Sequence, residues 1–290
     1  MAEHSDHVPG TGAEDPGAED PGTRDVGTKD AGPDNAAGPD NAAGWDLLAE
    51  AYDREVGWPE QELAWGIRCP SESQLELISD VVGGARVTVL GCGGGQDLLA
   101  LHHLGATELT GIDPSSAQLK LARERIDAAG VNAEFHLGDD AVLAELPAGD
   151  ADLVVSVQAL DYVAELDTCL KRIASHLRPG GVFAMSVLHP ADVSTHDVAP
   201  YGWHTSYHQQ QRDWSFDGLT EAPVALRSWF RSPSRWFTAV SGAGLVVERM
   251  AEPPPGPAEP WLQRGWIDVD SAAKLELVPS TFVLRARRPG

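Results

Sequence analysis

The chain is poor in cysteine and lacks any long apolar run. Its three cysteines, Cys69, Cys92 and Cys169, form no Cys-x-x-Cys pair and are odd in number, so neither a disulfide framework nor a zinc knot is expected. No apolar stretch approaches the ~20 residues of a membrane helix, and the acidic, glycine-rich amino terminus does not resemble a signal peptide. We therefore expect a cytoplasmic protein.

Basic residues are also scarce, with 21 Lys and Arg against 44 Asp and Glu and a net charge of -23. Such a balance argues against nucleic acid or an anionic membrane surface as a partner. Residues 1–44 hold ten of the acidic residues against only Arg24 and Lys29, yet the remainder of the chain is still acidic. A small molecule is the expected partner, and homo-oligomerisation is left open.

Residues 1–44 form a segment of low complexity. It contains GAEDPGAEDPG and AGPDNAAGPDNAAG and no aromatic residue, so it cannot bury enough apolar surface to offset the entropy of ordering. We predict a disordered acidic tail, and we expect deletion of residues 1–40 to leave turnover intact. A docking role for the tail is the alternative.

Residues 45–84 are predicted to form a helical cap. Trp45, Leu48, Ala49 and Tyr52 repeat at helical spacing, and Trp58-Pro59 is expected to stop this helix. A second helix is predicted after Pro70, with Ser71 and Gln74 as a capping box and apolar residues continuing to Val82.

The stretch Arg86 to Asp97, RVTVLGCGGGQD, is the centre of the chain. A short apolar strand meets a glycine turn containing Gly91, Gly93 and Gly95, and Gln96 and Asp97 open the next helix. Glycines at such a turn let the backbone approach a ligand closely. A strand, a glycine-rich turn and a helix in this order are typical of the first unit of a nucleotide-binding domain.

Residues 85–290 are predicted to be one α/β domain. Strands at 108–113, 133–139, 152–157 and 182–187 alternate with helices, and parallel crossovers of this kind build a doubly wound sheet. Two strands near 245–250 and 281–287 complete it, one or both antiparallel. The result is a mostly parallel seven-stranded sheet.

Acidic residues follow the second and third strands. Because ligands of open α/β sheets bind at the carboxyl ends of the strands, Asp113 is placed to accept ribose hydroxyls, and Asp139 or Asp140 to accept the amine of adenine. A helix cap is the alternative role for each carboxylate. Gln96 occupies the place of the third glycine of a dinucleotide fingerprint, and no Gly-Lys-Ser/Thr motif follows, so a nucleoside with a short zwitterionic tail fits better than a diphosphate.

At this point the chain resembles the class I S-adenosylmethionine-dependent methyltransferases, in a bacterial small-molecule branch. The matching segments are VTVLGCGGGQD (87–97), TGIDPS (110–115), FHLGDD (135–140), DLVVSVQALDYV (152–163) and LRPGGVFAMSV (177–187). The resemblance implies a Rossmann-like fold and S-adenosyl-L-methionine as cofactor.

It also implies roles for individual residues. Gly91, Gly93 and Gly95 would hold the methionine part, Asp113 the ribose and Asp139 the adenine amine, and Gln96 in the same loop would be a further cofactor-binding residue. Gln158 would lie near the sulfonium. The doubled acid Asp139-Asp140 departs from the family, which leaves the division of labour between them open.

Residues 189–230 show no regular pattern and are rich in aromatic residues, which favours a lid. Tyr201, Trp203, Tyr207 and Trp229 are predicted to line an acceptor pocket, because such pockets are mostly apolar. The acceptor is therefore expected to be hydrophobic or aromatic.

Two residues are candidates for catalysis. His189 follows a strand end on the ligand side and could act as a base, or it could simply bond to the turn backbone. Tyr52 could close over the cofactor or only pack in the core. His204 and His208 have metal-ligand spacing, but no carboxylate or cysteine is suitably spaced beside them, so no metal is predicted.

The expected function is methyl transfer to a small metabolite in biosynthesis. Two alternatives are kept: a cyclisation or rearrangement that uses the bound sulfonium, with or without methylation, and a ligand-binding module without catalysis.

Overall fold

The computed structural model describes residues 29–30, 38–56, 59–197, 199–216, 218–265 and 267–290. Within them the helices are α1 (Asn41–Val56), α2 (Glu72–Leu75), α3 (Gln96–His103), α4 (Ser116–Ala128), α5 (Leu166–His176), α6 (Pro233–Gly242), α7 (Glu259–Gln263) and α8 (Val269–Lys274). The strands are β1 (Lys29–Asp30), β2 (Arg86–Leu90), β3 (Glu108–Asp113), β4 (Glu134–Leu137), β5 (Ala151–Val157), β6 (Leu177–Leu188), β7 (Gln211–Phe216), β8 (Val224–Trp229), β9 (Val246–Ala251) and β10 (Thr281–Arg287). Short 3-10 turns cover Asp140–Ala144 and Leu160–Tyr162.

The main sheet has seven strands in the order β4-β3-β2-β5-β6-β10-β9. The first five are parallel to one another, and β10 pairs antiparallel with both β6 and β9. The predicted doubly wound sheet with antiparallel final strands is thus confirmed. The strand order reverses between β2 and β5, and in sheets of this kind the ligand binds beside that reversal.

Side chains of the central strands alternate between two apolar cores, one on each face of the sheet. In β6, Val182 and Ala184 belong to the core that also contains α3, whereas Phe183, Met185 and Val187 belong to the core shared with α5 and α6. A sheet covered on both faces explains why its strands read as nearly continuous apolar runs.

The second predicted helix is wrong beyond its first turn. Its capping box at Ser71 is present, but Glu76 is left-handed with φ 48° and α2 ends at Leu75. The fully buried carboxylate of Glu72 accepts the backbone N–H groups of Leu77 (3.0 Å) and Ile78 (2.8 Å). These N–H groups would bond to carbonyls one turn back in a continuing helix, so the carboxylate ends it.

The first helix begins at Asn41, four residues before the predicted boundary at Trp45. Asp40 Oδ1 accepts the N–H groups of Ala42 (3.0 Å) and Ala43 (3.3 Å), which caps the helix. Most of the predicted tail, and Trp58, lie outside the described residues. Of the segment before Asp40, the short β1 pairs antiparallel with β7.

Part of the predicted lid is regular, contrary to expectation. Strands β7 and β8 form an antiparallel hairpin with a register from Gln211↔Trp229 to Phe216↔Val224, and with β1 they make a second, three-stranded sheet. Asn41 joins α1 to this hairpin, because its side chain accepts the N–H of Arg227 and donates to the carbonyl of the same residue, both at 2.8 Å.

The proline-rich connection between β9 and β10 contains α7 and α8. Lys274 at the end of α8 is 5% exposed and forms ion pairs with Asp192 (2.6 Å) and Asp197, so it fastens the start of the lid to this connection. Among the residues described, no helix is both long and apolar enough to cross a membrane.

Candidate functional site

A cavity of about 350 Å³ lies at the carboxyl ends of β2, β3, β4 and β5. We call it the cofactor cavity. Its floor is the glycine turn after β2, and residues of α1 cover it from the other side. The lining includes Trp45, Tyr52, Asp53, Gly91, Gly93, Gly94, Gln96, Asp97, Asp113, Asp139, Asp140, Gln158 and Tyr162.

The glycine turn provides a smooth backbone wall. Gly91 and Gly93 have φ of 76° and 49°, which side chains rarely tolerate. A Cβ on Gly91 would come within 2.2 Å of the Cβ of Ala159, and one on Gly95 within 3.0 Å of Ala122. Gly91 and Gly95 are therefore required for close packing of the turn against Ala159, which follows β5, and against α4. Gly91, Gly93 and Gly94 line the cavity, whereas the predicted Gly95 does not.

Asp113 lies at the end of β3 with 7% of its surface exposed. Its carboxylate accepts the N–H of Gly93 and that of Ser115, each at 2.9 Å. Burial raises the pKa of Asp113 to about 6, against the lowering effect of these two hydrogen bonds. Ser115, and not Asp113, is the cap of α4, since its hydroxyl accepts the N–H of Gln118. Asp113 is thus a carboxylate braced against the glycine loop.

The two neighbouring acids after β4 differ in their contacts. Asp140 is 8% exposed and pairs with Arg172 of α5, whereas Asp139 accepts the N–H of Ala141 at 2.8 Å with Oδ1 and caps the 3-10 turn. Both acids line the cavity and both have a protein partner, so the division of roles between Asp139 and Asp140 stays a prediction.

The helix α1 is tied to the glycine loop through Asp53. Its carboxylate accepts a hydrogen bond from Gln96 Nε2 at 2.5 Å. Arg125 Nη2 donates to both carboxylate oxygens, at 2.7 and 3.0 Å. Arg125 also donates to the carbonyl of Gly94. Gln96 therefore links the glycine loop to α1. Its buried side chain also lines the cavity.

Gln158 has left-handed backbone geometry with φ 52°. Its amide nitrogen donates to the carbonyl of Trp65 at 3.0 Å and lies 3.4 Å from Ser186 Oγ. A residue in this sparsely populated region is held there by its surroundings, so the side chain is fixed at the end of the cavity farthest from Asp139 along the strand order.

Aromatic rings close the cavity on the side of α1. Trp45 makes edge-to-face contacts with Tyr52 (5.1 Å between ring centroids) and with Tyr162 (5.5 Å), and Phe216 of the hairpin completes the group. Burial, chiefly, raises the pKa of Tyr162 far above its ordinary value. Tyr52 is thus both packed and in the lining, and its catalytic role stays a prediction.

His189 lies outside the lining of this cavity. Its Nδ1 accepts the N–H of Ala191 at 3.1 Å and its Nε2 lies 2.6 Å from Glu252 Oε1. Burial lowers the pKa of His189, although Glu252 opposes this. An imidazole that accepts at Nδ1 and donates at Nε2 is neutral. These contacts correspond to the structural role, and a role as base stays a prediction.

Two of the four predicted pocket aromatics contact each other, since the rings of Trp203 and Tyr207 lie edge to face with 6.0 Å between their centroids. Trp203 is 60% exposed, Tyr201 donates to the carbonyl of Asp270 at 3.2 Å, and the ring of Tyr207 lies 6.4 Å from that of His189. Trp229 stands in β8, opposite Gln211. None of the four lines the cofactor cavity. His204 lies against His196 (4.9 Å between rings), and the described part of the chain contains no cluster of three or more metal-ligating side chains.

Sequence reasoning missed several lining residues. Asp97 faces the cavity, and burial raises its pKa to about 7; its place in the first turn of α3 was the available signal. Asp53 was visible only as a charged residue of α1. Tyr162, four residues after Gln158, carried no signal because only the 3-10 turn brings it to the cavity.

Comparison with known proteins agrees with this geometry. Residues 87–181 match the family model described as a methyltransferase domain. A trans-aconitate 2-methyltransferase of Delftia acidovorans is 38% identical over 115 residues, which is 39% of this chain and 41% of that protein. A ubiquinone biosynthesis O-methyltransferase of Azorhizobium caulinodans is 31% identical over 36% of this chain and 41% of that protein. The chain thus spans about two fifths of the length of these curated relatives.

A solved structure covers more of the molecule. The S-adenosylmethionine-dependent methyltransferase from Mesorhizobium loti is 26% identical, covers 72% of this chain and 93% of its own, and superposes with a TM-score of 0.56. The methyltransferase-domain match over residues 87–181, on a sheet with the glycine loop and Asp113 at its carboxyl edge, agrees with the class I S-adenosylmethionine-dependent methyltransferases that the sequence resembles. The family and the cofactor implied by the sequence are confirmed.

Proposed function

We propose that the protein transfers a methyl group from S-adenosylmethionine to a small-molecule acceptor in a biosynthetic pathway. The observation that carries the proposal is the carboxylate of Asp113, which is held beside the glycine turn by the N–H of Gly93. When bound, S-adenosylmethionine supplies a methyl group on a positively charged sulfur. The names of the two curated relatives, which act on trans-aconitate or in ubiquinone biosynthesis, support a small acceptor.

Each part of the cofactor cavity has a task in this proposal. Asp113 accepts the ribose hydroxyls, Asp139 receives the adenine amine, and the backbone of the glycine turn holds the methionine part. Trp45, Tyr52 and Tyr162 exclude water from the reacting atoms. This favours methyl transfer, because the reaction depends mainly on alignment of donor and acceptor and on exclusion of water. That the protein works in the cytoplasm, apart from nucleic acids and membranes, stays a prediction.

The proposal is tested with S-adenosylmethionine labelled in its methyl group and a library of metabolites. Label in a new product is the expected result. Conversion of a metabolite without label would instead identify the cyclisation or rearrangement alternative. Binding of S-adenosylhomocysteine with no conversion in the library would favour the ligand-binding module.

Asp113→Ala is predicted to weaken S-adenosylhomocysteine binding at least tenfold in calorimetry, because the ribose loses its acceptor and the loop loses a brace. Glu145→Ala, an exposed acid beyond the 3-10 turn after β4, is the control and should bind normally. Equal affinity in wild type and Asp113→Ala would reject the ribose assignment.

A further inference from the structure

The charged residues that line the cofactor cavity are all acidic. They are Asp40, Asp53, Asp97, Asp113, Asp139 and Asp140, and the described lining contains no lysine, arginine or histidine. A carboxylate that loses its hydration is stable as an anion only beside a hydrogen-bond donor or a cation. The partners of these six carboxylates therefore show which of them still needs a ligand.

Five of the six carboxylates have partners within the protein. Three accept backbone N–H groups, namely Asp40, Asp113 and Asp139. Two form ion pairs with arginines, Asp53 with Arg125 and Asp140 with Arg172. Each of these five side chains is thus stabilised before any ligand binds.

Asp97 differs from the other five. Within the part of the chain that the structure describes, its carboxylate has neither a hydrogen bond nor an ion pair. The residue is half-buried and belongs to the lining, so its open part faces the cavity. Burial raises the pKa of Asp97 to about 7, and no donor or cation of the protein opposes this. A positive group of a ligand would stabilise the ionised form.

Asp97 lies beside the glycine loop. It stands two residues after Gly95, in the first turn of α3, and Gly93 and Gly94 line the same cavity. Gln96 bonds to the carboxylate of Asp53 in α1, so the first turn of α3 is fastened to the helix that covers the cavity. In the proposed function the glycine loop holds the methionine part of the cofactor, so Asp97 and that part share one end of the cavity.

The methionine part carries an ammonium group and a carboxylate. An ammonium group forms short, strong hydrogen bonds with a carboxylate such as that of Asp97. A second carboxylate beside Asp97 would instead disfavour its ionised form, because like charges repel. The ammonium group is therefore the better partner of the two.

We propose that Asp97 is a specificity-determining residue of the cofactor cavity and binds the ammonium group of the methionine part. The inference rests on the proposed function, since it needs S-adenosylmethionine in this cavity. An adenosine compound without an amine would leave Asp97 unpaired. The cavity thus selects ligands whose side chain is positively charged at this end.

The alternative is that Asp97 only stabilises the start of α3, because an acid in the first turn interacts favourably with the helix dipole. Asp167 has the same place in α5, where it is exposed and pairs with Arg235 at 2.9 Å. It does not line the cofactor cavity. Asp167→Asn is therefore a matched control for the loss of a carboxylate at a helix start.

Calorimetry on the full chain with three ligands tests the proposal. S-adenosylhomocysteine has both groups, 5′-deoxy-5′-(3-carboxypropylthio)adenosine (the carboxypropyl ligand) lacks only the amine, and 5′-deoxy-5′-(3-aminopropylthio)adenosine (the aminopropyl ligand) lacks only the carboxylate. Wild type and Asp167→Asn should bind S-adenosylhomocysteine at least tenfold more tightly than the carboxypropyl ligand, because the latter leaves a buried charge unpaired.

Asp97→Asn keeps the shape of the side chain and removes its charge. It should bind S-adenosylhomocysteine and the aminopropyl ligand at least tenfold more weakly than wild type does. It should bind the carboxypropyl ligand no more weakly than wild type does, and this binding also shows that the variant is folded.

The outcomes separate the two proposals. Failure of all three ligands to bind wild type would reject the proposed function itself. Equal binding of S-adenosylhomocysteine and the carboxypropyl ligand by wild type would overturn the role of Asp97 without any variant. An equal loss for all three ligands in Asp97→Asn would leave only the helix-start role. A loss confined to the two ligands with a carboxylate would mean that Asp97 donates a proton to that group, which also overturns the proposal.

Discussion

Asp161 is a buried acidic residue in the 3-10 turn that follows β5. It is 3% exposed, and its Oδ2 accepts the N–H of Leu188 at 2.9 Å. Its Oδ1 is buried without a hydrogen bond in the structure. Burial raises the pKa of Asp161 to about 7, although Arg231 nearby lowers it. This carboxyl group joins the turn that carries Tyr162 to the end of β6.

The raised pKa of Asp161 has a consequence for stability. The folded protein keeps a proton that the unfolded chain releases near pH 4, so the free energy of unfolding falls as pH rises from about 4 to about 7. Asp161→Asn removes this contribution and should make the fall between pH 5 and pH 8 smaller by roughly 2 to 3 kcal/mol.

Urea unfolding at the two pH values measures this difference. The exposed Asp127→Asn variant on α4 should keep the pH dependence of the wild type. A pH dependence in Asp161→Asn that equals that of the wild type would contradict the assignment.

At the scale of elements, α1 joins three parts of the molecule. Asn41 bonds to β8, Asp46 accepts the hydroxyl of Ser115 at 2.6 Å and the N–H of Ala117 at 2.9 Å at the start of α4, and Asp53 holds Gln96 of the glycine loop. Three polar anchors on one helix fix its position over the cofactor cavity. The apolar face of α1 alone does not define one position of the helix along or about its axis.

Asp53→Ala is predicted to weaken S-adenosylhomocysteine binding by three- to tenfold, because the variant releases both Gln96 and Arg125 from α1. Glu60→Ala is the matched control, since Glu60 also pairs with Arg125 (2.7 Å) but does not contact Gln96. Calorimetry should find less than a twofold change for the control. Similar losses in both variants would mean that Arg125, and not the anchored loop, determines affinity.

At the scale of the whole molecule, the amino-terminal segment has two unequal parts. Asp40 caps α1 and lines the cofactor cavity, and Lys29–Asp30 extends the sheet of the hairpin. We therefore narrow the dispensable segment from residues 1–40 to residues 1–28.

Removal of residues 1–28 should leave the melting temperature and the affinity for S-adenosylhomocysteine unchanged. Removal of residues 1–40 should lower both, partly because loss of a helix cap costs about 1 kcal/mol. Differential scanning fluorimetry and calorimetry check this, and Asp40→Ala in the full chain should reproduce part of the loss. Identical behaviour of the two truncations would show that residues 29–40 have no role.

The sequence by itself determined the sheet, the glycine loop and the place of Asp113, because these depend on local patterns: apolar strands of period two, glycines in a turn and an acid directly after a strand. It also determined the family, since these motifs occur together in order. It did not predict the end of α2, where a buried carboxylate captures N–H groups that local propensity assigns to a helix.

Only the tertiary structure decided the remainder. The pairing of β7 with β8 joins two strands across a seven-residue connection, which is longer than a tight hairpin turn. It brings Trp214 and Phe230, instead of Tyr201 and Trp203, to a cavity of about 380 Å³ beside the ends of β6 and β10. Likewise, only the approach of β10 to the segment before β2 places Thr281 beside Gln158 across Gly66. Contacts between residues more than a hundred positions apart depend on how whole elements pack, and a local pattern contains no information about that packing.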